Sequence, residues 1–289
     1  MYTIDQYLKE KYGEKVYKLA LDGGMNCPNR DGRVGRDGCI FCSMGGSGEF
    51  TSPDVDTAIK KLRANGKQVG NKFIAYYQSY TNTYAPPTYL LQLYLPVIYR
   101  KDIVGMAIGT RPDCLWPFAL DVLDKLNKIK PTWVELGLQT IHERTAEFIK
   151  RGYSLPVFDE AVKNLRERNI DVVVHLILGL PGETKEDMLE SVRYLNQSGV
   201  QGVKLQLLHV LRGTALGDMY EADPSSVPVM SLEEYTDLVC DCLEVLDKNI
   251  VVHRITGDGP KNLLLAPKWS EDKKNVLNTL NKEIARRGL

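Results

Sequence analysis

The sequence predicts an α/β fold, a partial (β/α)6 TIM-like barrel followed by a small C-terminal helical cap. Short apolar, β-rich runs alternate with amphipathic helical windows, the pattern of βα units that build a parallel sheet. The chain has 289 residues, 43% hydrophobic and 26% charged, enough for one large α/β domain with an appendage and no separate cofactor domain. Strands are expected at 16–21, 73–78, 103–108, 133–138, 172–178 and 203–210. Helices are expected between them at 55–65, 89–99, 117–128, 156–168 and 185–197, each with apolar residues at three- and four-residue steps. Ser52-Pro53 and Thr184 are start signals, with Asp187 completing a near capping box. The barrel is assigned to 1–227. Residues 228–289 read as a cap on its open side, with a helix at 232–246, a loop bearing His253 and Arg254, and a last helix. Arg254, Lys261, Lys268 and Trp269 are its candidate substrate contacts. The first thirty residues are polar and charged, no apolar run approaches the roughly eighteen residues that span a bilayer, and no secretory segment is visible. A cytoplasmic location is expected.

Chemistry concentrates on the loops that follow strand ends, where barrels of this kind place it. After the first strand come Cys27, Cys39 and Cys42, the last two framing Ile40 and Phe41. Three thiolates can each hold one iron of a four-iron cluster and leave the fourth iron open to a small molecule. Structural zinc, the alternative, closes with four Cys or His ligands, and no fourth lies near the triplet. Cys114, Cys240 and Cys242 read as buried thiols rather than a second cluster, because two residues' separation turns Cys240 and Cys242 to different helix faces.

The run Cys27-Pro28-Asn29-Arg30-Asp31-Gly32, followed by Gly38-Cys39-Ile40-Phe41-Cys42, resembles the cluster loop of radical S-adenosylmethionine (SAM) enzymes. Eleven residues separate the first two cysteines, against three in the commonest form of that motif. The longer gap is typical of the branch holding the elongator catalytic subunit and the bacterial YtqA/YhcC (MnmL-like) group, and the lead-in resembles the latter. The resemblance implies a 4Fe-4S cluster on the three cysteines, with the backbone at Phe41 near the cofactor's adenine. Gln78-Ser79-Tyr80-Thr81-Asn82-Thr83-Tyr84 stands where relatives carry a glycine-rich turn for the methionine amino group. Here that role passes to backbone groups and to Gln78 or Thr81. Gly109-Thr110-Arg111-Pro112-Asp113 is similar to the branch's Thr-Arg-Pro-Asp turn, and otherwise reads as a proline-fixed loop start. Glu135 and Gln139 end the fourth strand, and Arg151 lies twelve residues beyond Gln139, a pairing that binds ribose and carboxylate in related enzymes. His175 stands where some relatives place a carboxylate toward the ribose, and otherwise reads as a core histidine. Gly179-Leu180-Pro181-Gly182 resembles the superfamily's turn, and the backbone near Leu208 is expected at adenine, with Lys204, Gln206 and His209 pointing into the barrel.

The implied activity is reductive cleavage of SAM, with flavodoxin or ferredoxin as electron donor, to methionine and a 5'-deoxyadenosyl radical. Catalysis then rests on positioning and exclusion of water. No catalytic residue is assigned, and Tyr80, Tyr84 and Tyr153 are hydrogen-donor candidates by position alone. Net charge is zero, with 37 basic and 37 acidic residues, so no global nucleic-acid signature exists. Locally, 218–247 holds nine acidic residues and no Lys or Arg, and 261–289 holds seven basic and three acidic. Further basic residues cluster at 60–72 and at Arg30, Arg33 and Arg36. Such patches suit a phosphate backbone, or are solvated faces. The elongator branch modifies wobble uridine in transfer RNA. The resemblance covers its radical domain and not its acetyl-coenzyme A domain, which implies editing of an existing side chain. For the YtqA-like group it implies conversion of carboxymethylaminomethyl-uridine to aminomethyl-uridine. A porphyrinogen-type small-molecule substrate and a non-catalytic cluster or heme carrier are the alternatives.

Overall fold

The computed structural model describes residues 1–64 and 69–289, so the expected helix end at Asn65 and Lys67 of the basic cluster lie outside the described residues. The chain opens with α1 (Ile4–Tyr12), capped by the reciprocal Thr3–Gln6 box, then β1 (Tyr17–Leu21) and α2 (Val55–Ala64). Four βα units follow. They are β2 (Phe73–Tyr77) with α3 (Pro87–Ile98), β3 (Ile103–Thr110) with α4 (Pro117–Ile129), β4 (Thr132–Gln139) with α5 (Glu143–Phe148) and α6 (Leu155–Arg166), and β5 (Asp171–Leu178) with α7 (Lys185–Leu195). The last third holds β6 (Gly202–Leu207), β7 (Val210–Leu211), α8 (Ala215–Ala222), α9 (Leu232–Val245), β8 (Val251–Arg254), β9 (Leu264–Ala266) and α10 (Lys273–Arg287).

The main sheet is parallel throughout, in the order β1-β2-β3-β4-β5-β6-β8. Neighbours in the sheet follow one another in the chain, as right-handed βα crossovers give, and the result is an open barrel. Strand alternation sorts its two faces. Phe73, Ala75, Val134, Leu136, Val174 and Leu205 point outward and pack under the helices in the main core. Ile74, Tyr76, Trp133 and Val173 point inward and meet Leu8 of α1 in a smaller cluster, so α1 plugs the bottom of the barrel. A third cluster at the rim joins Ile40, Ile149, Leu208, Val210, Leu216 and Ala266.

The six expected strands form, the last of them cut short, and several further features depart from the expectation. The polar N-terminus, where no element is expected, carries α1, whose one buried residue, Leu8, leaves little apolar pattern. The expected strand 203–210 breaks after Leu207, and β7 pairs antiparallel with β9 in a separate two-stranded sheet. The stretch read as a loop at His253 and Arg254 is β8, which extends the barrel sheet to seven strands. Thr184 and Asp187 do form a capping box on α7. Ser52 does not start α2: its amide donates to the Ala20 carbonyl at 2.9 Å, and Asp54 accepts from the Thr57 amide at 2.8 Å instead.

If β8 is integral to the sheet, Val252→Ala, at a side chain 4% exposed, lowers unfolding stability by on the order of 2 kcal/mol. A change within about 0.5 kcal/mol in denaturant titration would mark β8 as a peripheral strand.

Candidate active site

The cysteine loop between β1 and α2 is held from several sides. The buried Asn29 side-chain amide donates to the Lys150 carbonyl at 2.7 Å and lies 3.6 Å from Cys39 Sγ. The Arg30 guanidinium donates to the carbonyls of Cys42 and Ser43, both at 2.7 Å. Gly38 has φ +76°, and a side chain there would also strike Arg30. Ile40 sinks into the rim cluster, its amide donating to the Ile149 carbonyl at 3.1 Å and its carbonyl accepting from Leu216 at 2.9 Å. Cys39 and Cys42 therefore flank an anchored residue.

The loop roofs an open cavity of about 180 Å³ at the C-terminal end of the sheet. Cys27, Cys39 and Cys42 line it together with Phe41, Gln78, Thr81 and Arg111. Glu135, Gln139, Arg151 and His175 complete the group of expected residues on its walls. Gly179 and Leu208 lie elsewhere, in a separate small groove beside Met230, because the chain leaves the sheet after Leu207. Tyr80 and Tyr153 face the cavity, while Tyr84 turns to an outer groove with Trp116 and Arg33. Lys204, Gln206 and Arg254 line the cavity. His209 does not: it packs against Gly257 and Gly259. Lys268 donates to the Leu264 carbonyl, Trp269 Nε1 donates to the Met230 carbonyl, and Lys261 is exposed outside the cavity.

The donor set fits an iron-sulfur cluster with an organic cofactor beside it. Among the described residues, three potential ligand atoms converge within 4.8 Å only at His142, Asp187 and Glu190, so the cysteine sulfurs are not gathered for one ion. One zinc would draw its thiolates to about 2.3 Å from itself, whereas irons taking one thiolate each need the wider spacing. Burial pushes the Cys39 thiol up to about 12 and raises Cys42 as well, so both are thiols until a metal ionises them. Two buried polar atoms of cavity-lining residues lack a hydrogen-bond partner, Thr81 Oγ1 and Arg151 Nη2, the latter 3.6 Å from the Glu143 carboxylate. Arg151 is fixed by its Nη1, donating to the carbonyls of Leu138 at 2.9 Å and Thr140 at 2.6 Å, and by its Nε, donating to the Tyr153 carbonyl at 3.0 Å, while Nη2 faces the Glu143 carboxylate at 3.6 Å. Arg111 is differently committed, forked onto Asp113 at 2.9 and 2.8 Å and donating to the Arg151 carbonyl at 3.0 Å. Gln139 has φ +64°, a left-handed conformation that non-glycine residues rarely adopt.

Below the cofactor walls lies a charged floor that sequence reasoning found only in part. Glu135, fully buried, accepts from Lys18 Nζ and Trp133 Nε1, both at 3.1 Å, through Oε1. Its Oε2 meets His175 Nε2 at 2.8 Å and the Lys204 ammonium. Lys204 also donates to the Tyr76 hydroxyl at 3.0 Å, and Lys18 lies 3.1 Å from His253 Nδ1. Burial alone would raise the Glu135 carboxyl, but Lys18 and Lys204 hold it well below its usual range. Burial pulls Lys204 down against the opposing attraction of Glu135. Lys18, Tyr76 and Trp133 were missed; their signal was the inward register they share with Glu135 and His175.

Part of the charge asymmetry of the C-terminal third is met internally. Arg287 on α10 meets Asp237 and Asp241 on α9, at 2.8 and 2.6 Å, and Lys185 meets Asp241. Arg33 is stacked 4.7 Å over Trp116. The other three cysteines are buried and free of disulfides.

Residues 27–195 match the model of the Radical SAM superfamily, and 200–286 match the Radical_SAM C-terminal domain. YtqA of Bacillus subtilis is 44% identical over 99% of this chain and 90% of its own length, and YhcC of Escherichia coli is 34% identical over 98% and 91%. A tRNA uridine(34) acetyltransferase of Methanocaldococcus jannaschii is 27% identical over 56% of this chain and 30% of its own. The solved structure of archaeal Methanocaldococcus infernus Elp3 superposes with a TM-score of 0.70 at 19% identity, over 95% of this chain and 63% of that one, which shows a shared fold. The chain belongs to the radical SAM superfamily, whose members use a 4Fe-4S cluster and SAM.

Replacing Cys27, Cys39 or Cys42 singly with Ser is expected to abolish 5'-deoxyadenosine formation and lower bound iron, and Cys114→Ser to leave iron content unchanged. Acid stability gives a second test. Burial depresses His175 and His209 to about 4. The unfolded chain protonates these rings below about pH 6.5, where the folded chain does not, so stability falls as pH drops from there toward 4. His209→Gln is expected to flatten that slope in denaturant titrations across the window.

Proposed function

We propose that this radical SAM enzyme acts on a modified wobble uridine of transfer RNA, converting carboxymethylaminomethyl-uridine to aminomethyl-uridine. The carrying observation is a single cavity that runs from the three cysteines past Thr81 and Arg151 to the charged floor at Glu135 and Lys204. It occurs in a chain alike over nearly its full length to YtqA and, over 56%, to a protein named for chemistry at uridine 34 of tRNA. Bound on Cys27, Cys39 and Cys42, the cluster supplies reductive cleavage of SAM to methionine and a 5'-deoxyadenosyl radical, with flavodoxin or ferredoxin as the electron source.

This chain's residues bind and orient. In this reading Arg151, exchanging its Glu143 partner, takes the methionine carboxylate, Thr81 and Gln78 the amino group, and Gln139 and His175 the ribose side, with Glu135 acting from the floor through His175. Phe41 faces adenine through its backbone. Gly179 and Leu208 shape the rim behind that position, and Arg111 fixes the corner that holds Arg151. A base flipped out of an RNA loop would enter from the cavity mouth, where single-stranded bases are read. The enzyme is assigned to the cytoplasm, where its RNA and its reductant reside.

The test is anaerobic reconstitution with iron and sulfide, reduction with SAM present, and addition of transfer RNA from cells lacking the gene. The proposal predicts 5'-deoxyadenosine formation stimulated by that RNA, with carboxymethylaminomethyl-uridine replaced by aminomethyl-uridine in the nucleoside mass spectrum. Deoxyadenosine formation indifferent to RNA, with the nucleoside unaltered, would move the substrate to the small-molecule class.

A further inference from the structure

The charged floor has more donors than the protein uses. Lys204 and Arg254 are paired neighbours on β6 and β8, and both line the cavity. An ammonium carries three N–H donors and a guanidinium five. Lys204 meets two protein acceptors, Glu135 and the Tyr76 hydroxyl. Arg254 meets one, Asp258 Oδ2 at 3.1 Å, and Asp258 is shared with Lys273 at 2.6 Å. The acceptors nearby are committed: both oxygens of Glu135 are taken by Lys18, Trp133, His175 and Lys204. One buried carboxylate thus faces Lys18 and Lys204, with Arg254 beside them, and spare N–H groups of Lys204 and Arg254 border open space.

We propose that Lys204 and Arg254 form a subsite for a carboxylate on the substrate, so that the enzyme selects a nucleoside side chain ending in a carboxylate over its neutral counterparts. This deepens the RNA reading, on which it rests. Phosphates of the RNA backbone stay at the mouth, whereas a side chain on an extruded base can reach the floor. A point-like ammonium beside a planar guanidinium suits a carboxylate's two oxygens. Burial lowers Lys204 in the empty site, and an arriving carboxylate restores the compensating charge.

The experiment measures equilibrium binding of three anticodon stem-loop RNAs to the reconstituted enzyme. They differ only at the wobble uridine, which carries carboxymethylaminomethyl, its neutral carboxamide, or no substituent. The carboxylate RNA is expected to bind about tenfold or more tighter than the carboxamide. Lys204→Met and Arg254→Gln are each expected to shrink that ratio toward one. Arg254, with its side chain 38% exposed, provides a variant that spares the buried ion cluster should Lys204→Met lower the melting temperature. Equal binding of carboxylate and carboxamide by the unaltered enzyme, or a ratio preserved in both variants, overturns the subsite while leaving the RNA reading intact. If none of the three RNAs binds, the RNA reading falls and the subsite falls with it.

Discussion

One buried carboxylate organises the barrel interior. Glu135 on β4 receives Lys18 from β1, His175 from β5 and Lys204 from β6, so strands that are not neighbours in the sheet are drawn to one point. Desolvating such ions is expensive, and the attraction offsets it only when each lone pair is used. Here both oxygens are used twice. Below this layer the interior is apolar, closed by Leu8, Ile74, Trp133 and Val173. Above it the interior is polar and open. The carboxylate layer marks where packing ends and the cavity begins.

The roof follows a different logic. Ile40 is fixed by backbone bonds and apolar burial, Arg30 by two carbonyls and Asn29 by Lys150, none of which requires a metal. The loop is thereby preorganised over the cavity, and the thiols, raised by burial, await the metal that ionises them. Arg151 links roof and wall. Its side chain staples the β4 end and pairs with Glu143 on α5, and its carbonyl receives Arg111.

The strands were legible because each is a run of outward apolar residues under helices, and the cysteine spacing suggested a cluster with one open iron, whose cofactor the loop's resemblance to radical SAM enzymes implied. What sequence reasoning missed depends on long-range partners. β8 is four residues long and is a strand only because β6 offers an edge. The break after Leu207 is imposed by β9, more than fifty residues on, to which β7 turns. Lys18 in a strand looks solvent-facing until the open barrel supplies an interior for it. Of the acidic and basic stretches of the last third, packing of α9 on α10 brings together Arg287 with Asp237, Asp241 and Glu244. His209, expected inside, is displaced by the same break that takes Leu208 from the cavity.

The most direct probe of this organisation is a double-mutant cycle between Glu135→Gln and Lys204→Met, read as unfolding free energy under anaerobic conditions. If the carboxylate layer holds the strands as described, each single change destabilises by about 3–5 kcal/mol. The double variant then recovers part of that loss, giving a coupling of about 1 kcal/mol or more. Additive effects, with no coupling, would mean that the two groups merely share a cavity and that the barrel is held by its apolar faces alone.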